Sequence, residues 1–216
     1  MAPVIAPLGD SALAVTLAEG AAPATSALAA RFAARVRRRM LPGVRDVVSA
    51  YGTVTVYFDP RSADPDGIEP VLRALLGAPE TDDTHDPRGR LHVIPVRYAG
   101  PDLAEVAERT GLSQREVVRR HASPTYEVCF LGFVPGFAYL GPLDPALVLP
   151  RRAEPRRRVP AGSVAVAGAQ TGIYPFETPG GWHLIGHTDV MLFDPTSDPP
   201  NLLAAGDRIR FEPLDA

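Results

Sequence analysis

The chain has 216 residues, 45% of them hydrophobic and 22% charged, which fits one large or two small folded domains and excludes a wholly disordered chain. Its net charge of −3 argues against a nucleic-acid-binding surface, and the single cysteine, Cys129, excludes an internal disulfide framework or a cysteine-rich zinc site. No apolar run approaches the ~18 residues of a membrane span, and the first residues lack the charged region of a secretory signal, so a soluble cytoplasmic protein is expected.

The 24 prolines and 19 glycines predict many turns and short strands. The basic residues are all arginine, a bias that fits a GC-rich coding sequence together with the abundant Ala, Pro and Gly. Residues 3–7 and 12–17 read as two short strands flanking the turn Gly9-Asp10-Ser11. Leu28, Phe32, Val36 and Met40 then recur every four residues, one face of a helix. Thr25 or Ser26 can cap its start, and Leu41-Pro42-Gly43 ends it. Arg31, Arg35, Arg38 and Arg39 take the opposite face, as a solvated surface or as a phosphate-binding patch.

Val44–Ala50 and Thr53–Phe58 form a hairpin turning at Tyr51-Gly52, with Val54, Val56 and Phe58 alternating against polar neighbours. Ile68, Val71, Leu72, Leu75 and Leu76 follow at helical spacing. Pro70 is tolerable only in a first turn, which starts that helix near Gly67, and Gly77 can close it. Residues 78–90 contain no aliphatic side chain larger than alanine and read as a linker.

A strand, Leu91–Tyr98, opens the second part. Helices follow at Asp102–Arg109 and from Ser113, where Ser113-x-x-Glu116 is a capping box, to about His121. Beyond Thr125 the short apolar runs 126–131, 164–167, 182–185, 190–193 and 208–211 alternate with Gly/Pro turns, the spacing of a compact β-barrel or sandwich.

Four segments carry possible chemistry. Phe130-Leu-Gly-Phe-Val-Pro-Gly-Phe-Ala-Tyr-Leu-Gly141 sets aromatic rings among glycines, which makes either an apolar ligand wall with a phenol at its edge or a packed barrel corner. Five arginines crowd 151–158, suited to a carboxylate, a phosphate or an acidic surface, or simply solvated. Gln170, Thr171 and Tyr174 offer neutral donors and acceptors, which suit an amide or lactam better than a metal, and Gly180-Gly181-Trp182 sets the only tryptophan on a turn. His183 and His187 share a face of a regular strand, but a zinc site needs a third ligand, for which Glu177 is the nearest candidate; no metal is expected. Ser163 lacks the pattern of a nucleophile elbow, and without a lysine there is no P-loop.

Taken in order, Phe130-Leu-Gly-Phe-x-Pro-Gly-Phe-x-Tyr-Leu-Gly141, Pro150-Arg-Arg, Val159-Pro-Ala-Gly-Ser163, Gln170-Thr-Gly-Ile-Tyr-Pro175 and Pro179-Gly-Gly-Trp-x-Leu-Ile-Gly186 resemble the KipI/PxpB family, also described as allophanate hydrolase subunit 1 or carboxyltransferase subdomain C/D. The resemblance implies an α+β fold: a small α+β N-terminal domain, 1–85, followed by a cyclophilin-like β-barrel domain, 86–216. It implies a KipA/PxpC-like partner and a LamB/YcsF-like partner, with which the chain opens 5-oxoproline to glutamate as part of an ATP-dependent amidohydrolase, inactive alone. The chain has no nucleotide motif, so ATP use belongs to the complex. Other branches of the family inhibit a sporulation histidine kinase or belong to biotin-dependent urea carboxylase–allophanate hydrolase systems.

The resemblance and the residues together nominate Gln170, Thr171 and Tyr174 as catalytic donors and Arg156 or Arg158 as the cation at the developing charge. They nominate Phe133, Gly136, Phe137, Tyr139, Ser163, Gly181, Trp182 and His187, with those arginines, as contacts to a small lactam or amide bearing a carboxylate. His187 stands where the family carries an arginine, and an imidazole titrating near ~6.5 holds an anion more weakly at pH 7.

Overall fold

Alternating valines decide the first sheet. The computed structural model describes residues 2–20, 23–78 and 89–214, which group into two compact units, Met1–Pro87 and Arg88–Ala216. The first contains β1 (Val4–Pro7), β2 (Ala12–Thr16), α1 (Pro23–Arg38), β3 (Val44–Ala50), β4 (Thr53–Phe58) and α2 (Pro65–Gly77). The strands form one antiparallel sheet in the order β1-β2-β4-β3. Val54, Val56 and Phe58 share one face, as period-two spacing requires. They are buried with Leu13 and Val15 of β2, Phe32 and Val36 of α1, and Ile68, Leu72 and Leu75 of α2.

Three expectations in this unit fail locally. Met40 does not continue the apolar stripe of α1. The helix ends at Arg38, and Met40 turns left-handed at φ 46° and is 86% exposed. A residue in that conformation closes a helix end, and Pro42 disfavours helical geometry at Leu41. Thr25 and Ser26 lie inside α1 instead of capping it. Helix α2 begins two residues before Gly67, because the Asp64 carboxylate caps it by accepting from the Asp66 amide at 3.0 Å; Pro70 is therefore inside the helix. Most of the expected linker, 79–88, lies outside the described residues.

The second unit contains β5 (Leu91–Val96), α3 (Leu103–Thr110), α4 (Gln114–Ala122), β6 (Thr125–Leu131), β7 (Ala138–Gly141), β8 (Arg156–Val159), β9 (Ser163–Ala167), β10 (Gln170–Ile173), β11 (Thr178–Gly180), β12 (His183–His187) and β13 (Arg208–Pro213). Seven strands form a sheet in the order β12-β9-β10-β7-β6-β13-β5. Within it β5 and β13 run parallel, and the other pairs are antiparallel. Arg97, just past β5, bridges to His187 at the end of β12, so the two edge strands meet and the sheet nearly closes into a barrel. The interior is filled by Ile94, Val96, Val128, Leu140, Val164, Val166, Ile173, Ile185, Ile209 and Phe211, with Val106 of α3 and Val117 of α4. The α+β class and the barrel-like second part are as expected. The Ser113 cap is also present, its hydroxyl accepting from the Glu116 amide at 3.1 Å.

Residues 190–193 are not a strand; only Phe193 makes an isolated bridge, to Asn201. Asp194 reverses the chain at once, its carboxylate accepting from the Thr196 amide, the Thr196 hydroxyl and the Ser197 hydroxyl at 2.9, 2.7 and 3.0 Å. Such a turn leaves no length for a ladder. Conversely β7, β8, β10 and β11 form from Gly-, Pro- or Arg-rich stretches with no alternating pattern. β8 and β11 pair as a separate two-stranded sheet.

Candidate functional site

The barrel wall has a second buried layer on its outer face. Successive side chains of a strand point to opposite faces. On β9, Val164 and Val166 enter the barrel core while Ala165 and Ala167 face outward. The outward layer is aromatic: Phe137, Tyr174 and Trp182 are buried there with Val159 and Leu184, and Tyr139 packs against them. Phe137 is the hub. Its ring meets Phe133, Tyr139, Tyr174 and Trp182 edge-on at centroid distances of 5.6, 4.9, 5.3 and 5.5 Å. Tyr139 also stacks on Phe130 at 4.3 Å. Gly172 makes this possible: a Cβ there would stand 3.0 Å from the Phe137 ring and 3.3 Å from the Trp182 ring.

Phe133 differs from its neighbours. It is 58% exposed and holds φ 70° in the turn between β6 and β7. A left-handed backbone under a bulky residue is uncommon and strained, and such strain concentrates at functional sites. Beside it lies a shallow cleft of about 340 Å³ lined by residues 131–136 and Asn201. Gly136 backs onto Phe193 and Pro175.

The polar candidates separate by face. Gln170 pairs with Ala167, which puts it on the aromatic side, and its amide Nε2 is buried without a hydrogen-bond partner. Thr171, one residue on, is fully buried on the barrel side. Its hydroxyl donates to the Ala165 carbonyl at 2.9 Å, leaving it to accept from His121 Nε2 at 2.8 Å. His121 Nδ1 must then accept from the Tyr98 hydroxyl at 2.7 Å, a set of donors that requires a neutral imidazole. Burial pushes His121 down to about 3. The strand pleat thus divides the nominated trio: Gln170 and Tyr174 share the aromatic layer, and Thr171 belongs to the interior. The Tyr174 hydroxyl lies against Gly180; burial pushes its pKa up, opposed in part by the Trp182 amide and the Arg151 charge.

The arginine segment is organised by one carboxylate. Asp102, at the start of α3, accepts from Arg156 Nη1 and Nη2 at 2.8 and 2.6 Å, from Arg152 Nη1 at 3.0 Å and from the Leu184 amide at 2.7 Å. Burial alone would raise its pKa, but the Arg156 guanidinium, the Leu184 amide and Arg152 outweigh it and hold the carboxyl below its usual value. Arg152 also reaches Glu105 at 2.8 Å. Arg156, nominated as a substrate cation, therefore has its planar fork occupied by Asp102. Arg158 meets Glu177 at 3.5 Å with both groups exposed.

The remaining candidates are scattered. Ser163 is buried and its carbonyl accepts from the Tyr174 amide at 3.0 Å. The Gly181 carbonyl accepts from the Arg152 amide at 2.8 Å. His187 bonds to the Ala161 carbonyl through Nε2 at 3.1 Å and faces Asp189 at 3.5 Å. The expectation that His183 and His187 share a face fails. A bulge between Leu184 and Gly186 sets His183 opposite Val166 and His187 opposite Ser163, on the two different faces. His183 is instead buried, with Nε2 3.0 Å from the Pro150 carbonyl. Among the described residues no three His, Cys, Asp or Glu side chains cluster as metal ligands.

The family model for the carboxyltransferase domain, subdomain C and D, matches residues 3–203. The chain belongs to this family. Two relatives are named as subunits of 5-oxoprolinase. The Escherichia coli protein is 49% identical over 80% of this chain and 79% of its own length. The Bacillus subtilis protein is 38% identical over 94% and 90%. Among solved structures, that of TTHA0988 superposes with a TM-score of 0.83 and 43% identity over 95% of this chain; the chain spans 40% of that longer one.

In this carboxyltransferase-domain chain, sequence reasoning singled out the arginine cluster but missed the Asp102 carboxylate that pairs with Arg152 and Arg156. Asp102 reads only as the first residue of the helix Asp102–Arg109; it stands at the N-cap of α3, and its side chain makes no cap hydrogen bond. The available signal was an arginine cluster in need of a buried counter-charge. No helix among the described residues is long and apolar enough to cross a membrane.

Proposed function

We propose that the chain is a subunit of an ATP-dependent 5-oxoprolinase-type amidohydrolase, which works with KipA/PxpC-like and LamB/YcsF-like partners to open 5-oxoproline to glutamate. The observation that carries this reading is the 49% and 38% identity, over most of the chain, to proteins named as 5-oxoprolinase subunits. The outer aromatic face supports it. A small lactam ring suits the exposed ring of Phe133 and the half-buried Tyr139, backed by the buried Phe137 and Trp182, and the orphaned Gln170 amide needs a carbonyl to donate to. An unpaired buried donor is costly, so a ligand that satisfies it binds with that cost removed.

A lactam carbonyl resists attack by water until its oxygen is activated. ATP, a substrate of the complex, supplies that activation by phosphorylating the lactam oxygen. ADP leaves in that step; water then adds to the carbon, the ring C–N bond breaks with a proton passing to the nitrogen, and a second water hydrolyses the resulting γ-glutamyl phosphate to glutamate and phosphate. The part assigned to this chain is to hold the ring and to place the Gln170 N–H against the carbonyl oxygen as charge develops there. Arg156 positions the segment that crosses this face, through Asp102.

The test is co-expression of the three chains and measurement of ATP-dependent glutamate release from 5-oxoproline. Activity that requires all three, and that falls about 100-fold in Gln170→Leu, is the expected result. A stable complex without turnover points to another amide substrate or to carboxyl transfer. Failure to assemble overturns the subunit reading in favour of kinase inhibition.

A further inference from the structure

Of the five arginines between 151 and 158, three have carboxylate partners: Arg152 and Arg156 on Asp102, and Arg158 on Glu177. Arg151 and Arg157 have none among the described residues, and both are exposed; Arg157 lies within β8, whereas Arg151 sits on the connection that runs past two of the candidate segments. Its backbone is nevertheless held in place on both sides. The Leu149 carbonyl accepts from the Gly168 amide at 2.7 Å, at the tip of the β9–β10 hairpin, and the Arg152 amide donates to Gly181 at 2.8 Å. Arg151 is thus strung between the hairpin that carries Gln170 and the turn that carries Trp182. Its charge lowers the pKa of the Tyr139 and Tyr174 phenols against the rise that burial imposes.

We infer that Arg151 is the carboxylate-binding, specificity-determining residue of this face, holding the acid group of a small lactam or amide whose carbonyl meets the Gln170 amide. The inference rests on the proposed function for the identity of the ring. The charge logic is its own: a guanidinium fork matches a planar carboxylate, while Gln170 and the aromatic rings are neutral and take the rest of the molecule. The Asp102 network contributes by fixing Arg152, the next residue, so that the backbone at 151 is preorganised. With Glu105 it also engages Arg152 and Arg156, so neither is free for a ligand, and Arg151 is the unpaired arginine whose neighbours on both sides are tied to the Gln170 hairpin and the Trp182 turn.

The experiment is calorimetric titration of the full three-chain complex with 5-oxoproline and with 2-pyrrolidinone, the same ring without the acid. Wild type is expected to bind the acid at least about tenfold tighter than the neutral ring. Arg151→Gln should weaken 5-oxoproline about tenfold or more and leave 2-pyrrolidinone within about twofold. Arg151→Lys should recover part of the loss, and Gln170→Leu should weaken both ligands. Arg115→Gln, an exposed charge on α4, should change neither. Equal affinities in wild type, binding of neither ligand, or an unchanged ratio in Arg151→Gln overturns the inference. Glutamate release separates the two readings. Binding that depends on Arg151 without turnover keeps the inference and defeats the proposed function. Turnover whose KM ignores Arg151→Gln does the reverse.

Discussion

Asp102 holds Arg156 through two parallel hydrogen bonds of 2.8 and 2.6 Å, with the carboxylate 4% exposed and the guanidinium 24% exposed. The pair ties the first residue before α3 to β8, more than fifty positions away. The same carboxylate takes the Leu184 amide of β12, so one side chain joins a helix start and two strands.

Removing the charge from such a site leaves two arginines facing a neutral amide. Asp102→Asn is expected to cost about 3 kcal/mol, the lower end for a broken buried pair. Urea unfolding followed by Trp182 fluorescence measures it. The carboxyl titrates below its unfolded value of ~3.9. Its contribution is complete above that pH and is lost as pH falls through the folded-state value. Asp102→Asn should therefore lack this acid-dependent loss.

His121 should produce a second pH dependence at higher pH. Its folded pKa is about 3 against ~6.5 when unfolded. Between those values the unfolded chain binds a proton that the folded protein excludes, so stability falls as pH drops from about 6.5. The slope is about 1.4 kcal/mol per pH unit within the window. Stability curves from pH 4 to 7 test this, and His121→Gln should flatten them.

Gly180 touches Tyr174 too closely for any side chain. A Cβ there would run into the hydroxyl and stand 2.9 Å from Cζ. Gly180→Ala is expected to destabilise by about 2 kcal/mol through overpacking. Tyr174→Phe removes the hydroxyl that makes the worst clash, so the double variant should recover part of the loss, a coupling read by a double-mutant cycle.

Phe133 should behave oppositely for stability and function. Phe133→Gly relieves a left-handed backbone and is expected to leave stability unchanged or raise it by about 1 kcal/mol. Glutamate release by the complex should still fall about tenfold, because an exposed aromatic anchor is lost. Unchanged activity would remove Phe133 from the site.

Local chemistry made much of the second unit legible. The capping box at Ser113 and the apolar runs at 126–131, 164–167 and 208–211 each found their element, because neighbours a few residues apart determine them. The aromatic segment 130–141 was legible as a cluster of rings, although its split into β6, a turn and β7 was not. Strands β8, β10 and β11 were hidden because their hydrogen bonds go to strands that the local pattern does not name, and glycine or arginine in them carries no alternation.

For the candidate site, the sequence grouped Gln170, Tyr174 and Trp182 by residue type, and the fold puts all three on the outer face. Which of the candidates share that surface was settled by the pleat of β10, which turns Thr171 inward, and by the bulge in β12, which parts His183 from His187. Whether an arginine is spent or offered depended on a carboxylate some fifty residues earlier in the chain. Composition and periodicity express what a residue prefers over one or two turns of chain. Pairing of charges and the facing of side chains depend on which distant segments the closed sheet brings together, and that is a property of the folded molecule.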